Sequence, residues 1–236
     1  MTSVDRPLRI MVLDAAPADV QARVAAVMHD GRTGDVLASR EMPGHDGIGS
    51  MTGLLEECLS EAGWLAPELV VVVVGPGSFT GLRTACSLAA GLAFGADCPV
   101  VGVTRGEALA PILEPMVKEQ GVSGWLSVNV ARRGRWFVES SATSEEALSI
   151  IVAVKSEEWQ PPSGTWLMEG DAAEQAVQGR ERVFIAPVTG EASFQDIALT
   201  GLRRHLGNLA PRAAIPLYVD PPEAKLPAGG LRSRPE

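Results

Sequence analysis

The residues best suited to chemistry lie in one run, Gly75-Pro76-Gly77-Ser78-Phe79-Thr80-Gly81-Leu82-Arg83. It joins a continuously apolar stretch, Leu69 to Val74, to a helical pattern, and a loop at such a junction can aim backbone N–H groups and a helix N-terminus at an anion. The spacing fits no established motif. A triphosphate loop needs glycine, four residues, then Gly-Lys-Ser or Gly-Lys-Thr, and no lysine occurs between Gly75 and Arg83. The G-x-G-x-x-G fingerprint fails as well. A hydrolase elbow, G-x-S-x-G, needs a residue between glycine and serine, whereas Gly77 and Ser78 are adjacent. Local chemistry leaves two readings open: an anion cradle, or glycines that permit positive φ and tight packing, with Ser78 or Thr80 capping the helix.

Other reactive residues are scattered. His29, His45 and His205 lack the helical spacing, with an intervening glutamate, that a zinc protease requires. Cys58, Cys86 and Cys98 form no C-x-x-C pair and sit in apolar stretches, so buried thiols in a reducing compartment are expected. Asp14, at the end of the first strand pattern, is the one carboxylate suitably placed to hold a nucleotide-bound metal. Arg132-Arg133 could meet a phosphate or simply cap a hairpin. No metal site and no cofactor are expected.

These residues need a framework. A chain of 236 residues with 46% hydrophobic and 21% charged content can bury roughly 70–75% of its unfolded surface. Its net charge of −9 opposes direct grip on a polyanion. No apolar run reaches the roughly 18 residues of a membrane span, and the first ten residues lack a signal-peptide core, so a cytoplasmic protein is expected.

Strand patterns occupy Leu8–Leu13, Arg23–Met28 and Val36–Glu41, followed by a helix from Ser50 to Gly63. Leu69–Val74 reads as a central strand buried on both faces. A helix to about Gly95, a strand at Val100–Val103 and a helix from Gly106 to Gln120 come next. The order is that of a ribonuclease H-like lobe. Strands at Trp125–Val130, Arg135–Ser140, Ser149–Val154, Trp166–Met168 and Val183–Ile185, with helices at Asp171–Gln178 and Ser193–Leu206, repeat the theme. The expected fold is α/β, two-lobed and actin-like with mixed sheets. Its divisions are a first lobe over 1–104, a looser second lobe over 105–215 whose last helix can pack back on the first, and an irregular tail over 216–236.

The helix from Gly81 to Gly95 carries one charge, Arg83, so both of its sides need cover. Ser87, Gly91 and Gly95 recur every fourth residue and make one face shallow enough for another helix at short range. That cover could be the Ser50 helix or a second protein.

The segment VGPGSFTGLRTACSLAAGLAFGADCPVVGVTRGEALA resembles the signature region of the TsaB (YeaZ) family. Ala131-Arg132-Arg133-Gly134, Glu169-Gly170-Asp171-Ala172, Ile215 to Val219 and Pro222 to Pro227 extend the resemblance over the whole chain, strongest from Val74 to Ala110. It implies an accessory subunit, without catalysis of its own, of the machinery that makes threonylcarbamoyladenosine on tRNA. Its implied partner is a TsaD-like catalytic subunit, with a TsaE-like ATPase as a further one. A homodimer is implied for the chain alone, and contact with tRNA only through other subunits. A contact through Met51, Leu54, Leu55, Cys58, Ser87 and Gly91 is then expected. Two departures stand out. Asp14-Ala15-Ala16-Pro17-Ala18-Asp19 lacks the glycine and hydroxyls of an ATPase phosphate loop, and Val130 stands where the family often has aspartate, beside Asn129. The rival readings are an ATP-dependent phosphotransferase on the same fold and, more remotely, a metalloprotease.

Overall fold

The computed structural model describes residues 6–17, 21–131, 134–142, 144, 146–187 and 191–219, without the side chain of His45. Asp19, the Arg132-Arg133 pair and the Pro222 to Pro227 segment lie outside the described residues.

The first lobe opens with an antiparallel meander, β1 (Leu8–Asp14), β2 (Gln21–His29) and β3 (Gly34–Pro43). Helix α1 (Gly44–Glu61) leads to β4 (Leu69–Gly75), α2 (Phe79–Ala96), β5 (Val100–Thr104) and α3 (Arg105–Gln120). β4 pairs parallel to both β1 and β5, and the sheet order is β3-β2-β1-β4-β5. Every residue of β4 is buried, as its unbroken β-branched run requires.

The second lobe repeats the plan. β6 (Gly124–Val130), β7 (Arg135–Ser140) and β8 (Ile150–Lys155) form a meander, and β9 (Trp166–Glu169), α4 (Ala173–Val177) and β10 (Val183–Ile185) follow. Read from β8, the order β8-β7-β6-β9-β10 matches that of the first sheet. The last helix, α5 (Phe194–His205), returns to the first lobe, where Phe194, Ile197, Ala198 and Leu202 join the core built on Ile10, Val12 and Val71.

Side-chain alternation sorts the core into layers. One face of the first sheet, with Met11, Leu13, Val70 and Val72, carries α1 and α2. Its other face carries α3 and α5, and Trp125 and Leu167 of the second sheet close over them. The far face of the second sheet holds α4 and the Trp136–Trp159 pair.

α1 begins at Gly44, not at Ser50, and has no side-chain cap. Its glycines read as non-helical by propensity, yet tertiary packing decides: a Cβ on Gly47 would lie 2.3 Å from the Met42 carbonyl oxygen, so glycine lets the first turn close onto β3. α3 continues through Pro111 and Pro115. Pro111 cannot donate to the Glu107 carbonyl, and Thr200 of α5 does so instead at 3.2 Å. α5 approaches the sheet so closely that a Cβ on Gly201 would lie 2.3 Å from a Val71 methyl.

That contact is testable. Gly201→Ala is expected to lower stability by about 1–3 kcal/mol in chemical denaturation, overriding alanine's better helix propensity. Combined with Val71→Ala, the loss should be smaller than the sum of the two single losses.

Candidate functional site

The loop between β4 and α2 is occupied by the protein itself. Ser78 donates its N–H to the Ala16 carbonyl at 2.9 Å, and its side chain caps α2 by accepting from Gly81 N–H at 3.3 Å. Cβ atoms on Gly77 and Gly81 would lie 1.8 Å from the Ala16 and 2.1 Å from the Ala15 carbonyl oxygen. These glycines exist to let two backbones touch. Of the two readings the sequence left open, tight packing has direct geometric support.

The side chains of the loop point elsewhere. The Arg83 guanidinium lies 4.0 Å over the Phe79 ring and donates to the Tyr218 hydroxyl at 2.7 Å, with the two rings 5.1 Å apart. Tyr218 belongs to a strap, residues 212–218, that crosses from the open edge of β5 to β4. Gly102 N–H donates to Arg212 O at 3.0 Å and Leu217 N–H to Val74 O at 2.8 Å. This role of Tyr218 was not legible in the sequence, because it joins positions 135 residues apart.

Asp14 faces inward. Its carboxylate pairs with Arg23 at 3.1 Å and accepts from Ala16 N–H at 2.9 Å, and both side chains are buried. Arg23 also donates to Ala192 O at 3.1 Å and stacks on Phe194 at 4.8 Å.

The expected contact residues divide. Met51, Leu54, Leu55 and Cys58 are at most 5% exposed and belong to the core beneath α1, so their assignment to a partner surface is corrected. Their apolar periodicity marks the inward face of an amphipathic helix. Ser87 and Gly91 are exposed on α2, beside Arg83, Ala90, Phe94 and Gly95. Phe94 is 91% exposed. On α1 the outward residues include Glu56, whose charge already marks a solvent-facing side, and Gly49, Thr52 and Gly53. A Cβ on Gly49, Gly53, Gly91 or Gly95 would meet nothing within 4 Å, so open space stands above both helices.

A buried acidic cluster at the junction of the lobes also went unread. Glu139 accepts from Thr104 Oγ1, from Gly106 N–H at 2.9 Å and from Ser149 Oγ at 2.7 Å. Burial, with Glu107 beside it, raises its carboxyl to about 7. Burial pushes Glu107 the same way, but Arg204, Arg212 and the Thr104 amide outweigh it and hold that carboxyl below its ordinary value. Glu169 is pushed up to about 8, chiefly by burial with Glu139 and Asp171 adding to it, against the Ser127 hydroxyl and Arg105. Ser127 adjoins Glu169 in the parallel β6–β9 register, but no contact to either carboxyl oxygen has hydrogen-bond geometry. One signal was available: Thr104-Arg105-Gly106-Glu107 spells a capping box, and the structure forms it. No group of three or more metal-ligating side chains occurs among the described residues. His29 is buried with Nδ1 accepting from Gly31 N–H at 2.9 Å, and His205 is exposed.

Comparison with known proteins agrees with this architecture. Residues 48–120 match the family model described as TsaD, tRNA N6-adenosine threonylcarbamoyltransferase. The tRNA threonylcarbamoyladenosine biosynthesis protein TsaB of Escherichia coli K12 is 26% identical over 175 residues, which is 69% of this chain and 71% of the relative. TsaB of Haemophilus influenzae is 39% identical over 59 residues, only 24% of this chain and 25% of that one. A Pseudomonas aeruginosa structure described as similar to peptidase YeaZ superposes with a TM-score of 0.65 at 19% identity, covering 90% of this chain and all of the other. P. aeruginosa YeaZ itself gives a TM-score of 0.60 at 22% identity over 89% and 99%. The chain is similar in sequence to TsaB proteins and in fold to the YeaZ structures. The matched segment 48–120 contains most of α1, the glycine loop, α2 and α3, and so the exposed helix face and Glu107 of the acidic cluster, whereas Glu139 and Glu169 lie beyond it.

Two measurements check this geometry. Gly77→Ala should destabilise the chain by about 3 kcal/mol or more, because its new Cβ meets backbone, whereas Gly91→Ala should be neutral or stabilising by up to about 1 kcal/mol. Glu169, with its folded-state value raised, contributes stability that is complete below the unfolded-state value and lost as pH rises through about 8. Glu169→Gln should therefore flatten the decline in unfolding free energy between pH 5 and pH 9, measured by chemical denaturation.

Proposed function

We propose that this chain is an accessory subunit in the synthesis of threonylcarbamoyladenosine on tRNA, acting by association with a TsaD-like catalytic subunit and performing no chemistry itself. The observation that carries the reading is the exposed small-residue face of α1 and α2. Gly49, Gly53, Ser87, Gly91 and Gly95 let a partner helix approach at the short end of the usual 8–10 Å interaxial range. Phe94, 91% exposed near the end of α2, offers an aromatic anchor, and Arg83 at the start of α2 and Glu56 on α1 supply exposed polar points on the same two helices. A stable contact here would remove about 1,200–2,000 Å² from solvent. The same face pairs two copies when the catalytic subunit is missing.

The relatives' names and the acidic composition both favour this role. A chain of net charge −9 leaves the grip on tRNA to other subunits. A TsaE-like ATPase is a further candidate partner, and the cytoplasm is the matching compartment. No described helix is long and apolar enough to cross a membrane. The phosphotransferase reading needs Asp14 free to hold a metal, but that carboxylate is ion-paired with Arg23.

Pull-down with a TsaD-like subunit tests the placement. Gly91→Trp and Phe94→Glu should each abolish pairing while circular dichroism stays unchanged. Leu54→Ala should lower stability by about 2–5 kcal/mol and leave the pairing of the folded fraction intact. Undiminished pairing by Gly91→Trp would overturn the placement.

A further inference from the structure

A cavity of about 360 Å³ opens between α3, α5 and the end of the second sheet, on the opposite side of the first sheet from α1 and α2. That volume lies within the range of small-molecule sites, about 300–1,000 Å³. Its floor is polar and buried: Glu107, Ser149, Thr200 and Arg204 are all at most 8% exposed. One wall is apolar, with Trp125, Val117 and Leu209. An apolar wall with a few converging polar groups is the usual composition of a ligand pocket.

Charge selects the ligand class. Glu107, the acid of the floor, is already satisfied by Arg204 at 3.1 Å and Arg212 at 2.7 Å, two cations on one carboxylate. At the mouth, Arg203 is paired only loosely with Glu114, at 3.7 Å. Lys118 makes no ion pair or hydrogen bond among the described residues. Among the lining residues Lys118, Arg203 and Arg204 stand against Glu107 and Glu114, a surplus of one positive charge on a chain whose overall charge is −9. A neutral or cationic ligand would leave that surplus unanswered. An anion would answer it at Lys118, which is unpaired among the described residues.

We propose that this cavity binds a small organic anion, its apolar body against Trp125 and Val117 and its oxyanion head held by Lys118 and Arg203. The site is independent of the helix face proposed for the partner subunit. A carboxylate and a phosphate monoester share the required chemistry.

Benzoate, phenyl phosphate and the uncharged isostere benzamide distinguish the cases by calorimetry on the full chain. Saturable binding of benzoate or phenyl phosphate below about 1 mM is expected, with benzamide weaker by tenfold or more. The tighter of the two anions names the head group. The double variant Lys118→Glu, Arg203→Glu should weaken the anion at least tenfold, and the milder Lys118→Met should weaken it measurably in a chain of unchanged thermal midpoint. Arg83→Glu, remote from the cavity, should leave binding unaltered. Equal affinity for benzamide, no saturable binding of either anion, or anion binding indifferent to Lys118→Met and the double variant would each overturn the proposal.

Discussion

The carboxylate of Glu107 is the fixed point from which the two lobes are tied. It is gripped from four parts of the chain: the Thr104 amide at the start of its own helix, Arg204 of α5, Arg212 of the strap and Ser149 at the entry to β8. Ser149 and Thr104 pass the connection to Glu139 and so into the second sheet. A buried charge left without its partner costs about 3–5 kcal/mol, so these elements dock together or not at all. The arrangement favours one relation of the lobes over alternatives of similar apolar burial.

Around that point the two faces of the first sheet have divided roles. The face toward α3 and α5 is closed by the second lobe and is rich in buried polar groups. The face toward α1 and α2 is sealed by aliphatic packing beneath the helices, while their outer surface includes Gly49, Gly53, Ser87, Ala90, Gly91 and Gly95 among its charged residues and Phe94. Small side chains give little burial to a lone chain and much close contact to a partner, which is why this surface carries the proposed association.

The elements were largely legible because apolar periodicity reports local geometry: the β-branched Leu69–Val74 run, the Ser78 cap and the repeated meander all appear where their patterns place them. The start of α1 was not legible, since Gly44, Gly47 and Gly49 disfavour helix and only contact with β3 stabilises it. The contact surface was half legible for a related reason. Apolar spacing identifies a helix's buried stripe, so Met51, Leu54, Leu55 and Cys58 described the core, whereas the outer face is marked by missing side chains, as at Gly53 and Gly91. The Glu107 cluster combines residues from 104 to 212, and no spacing rule spans that distance.

The strap over residues 212–218 also bears on how the chain matures. It comes last among the described residues, yet it closes the edge of β5 and brings Tyr218 onto Arg83 at the head of α2. Emerging from the ribosome, the first lobe must therefore wait, one rim of its sheet unpaired, until residues 212–218 have been made, about 110 residues after β5. A product cut short before the strap would keep an adhesive border where the longer molecule has a hem.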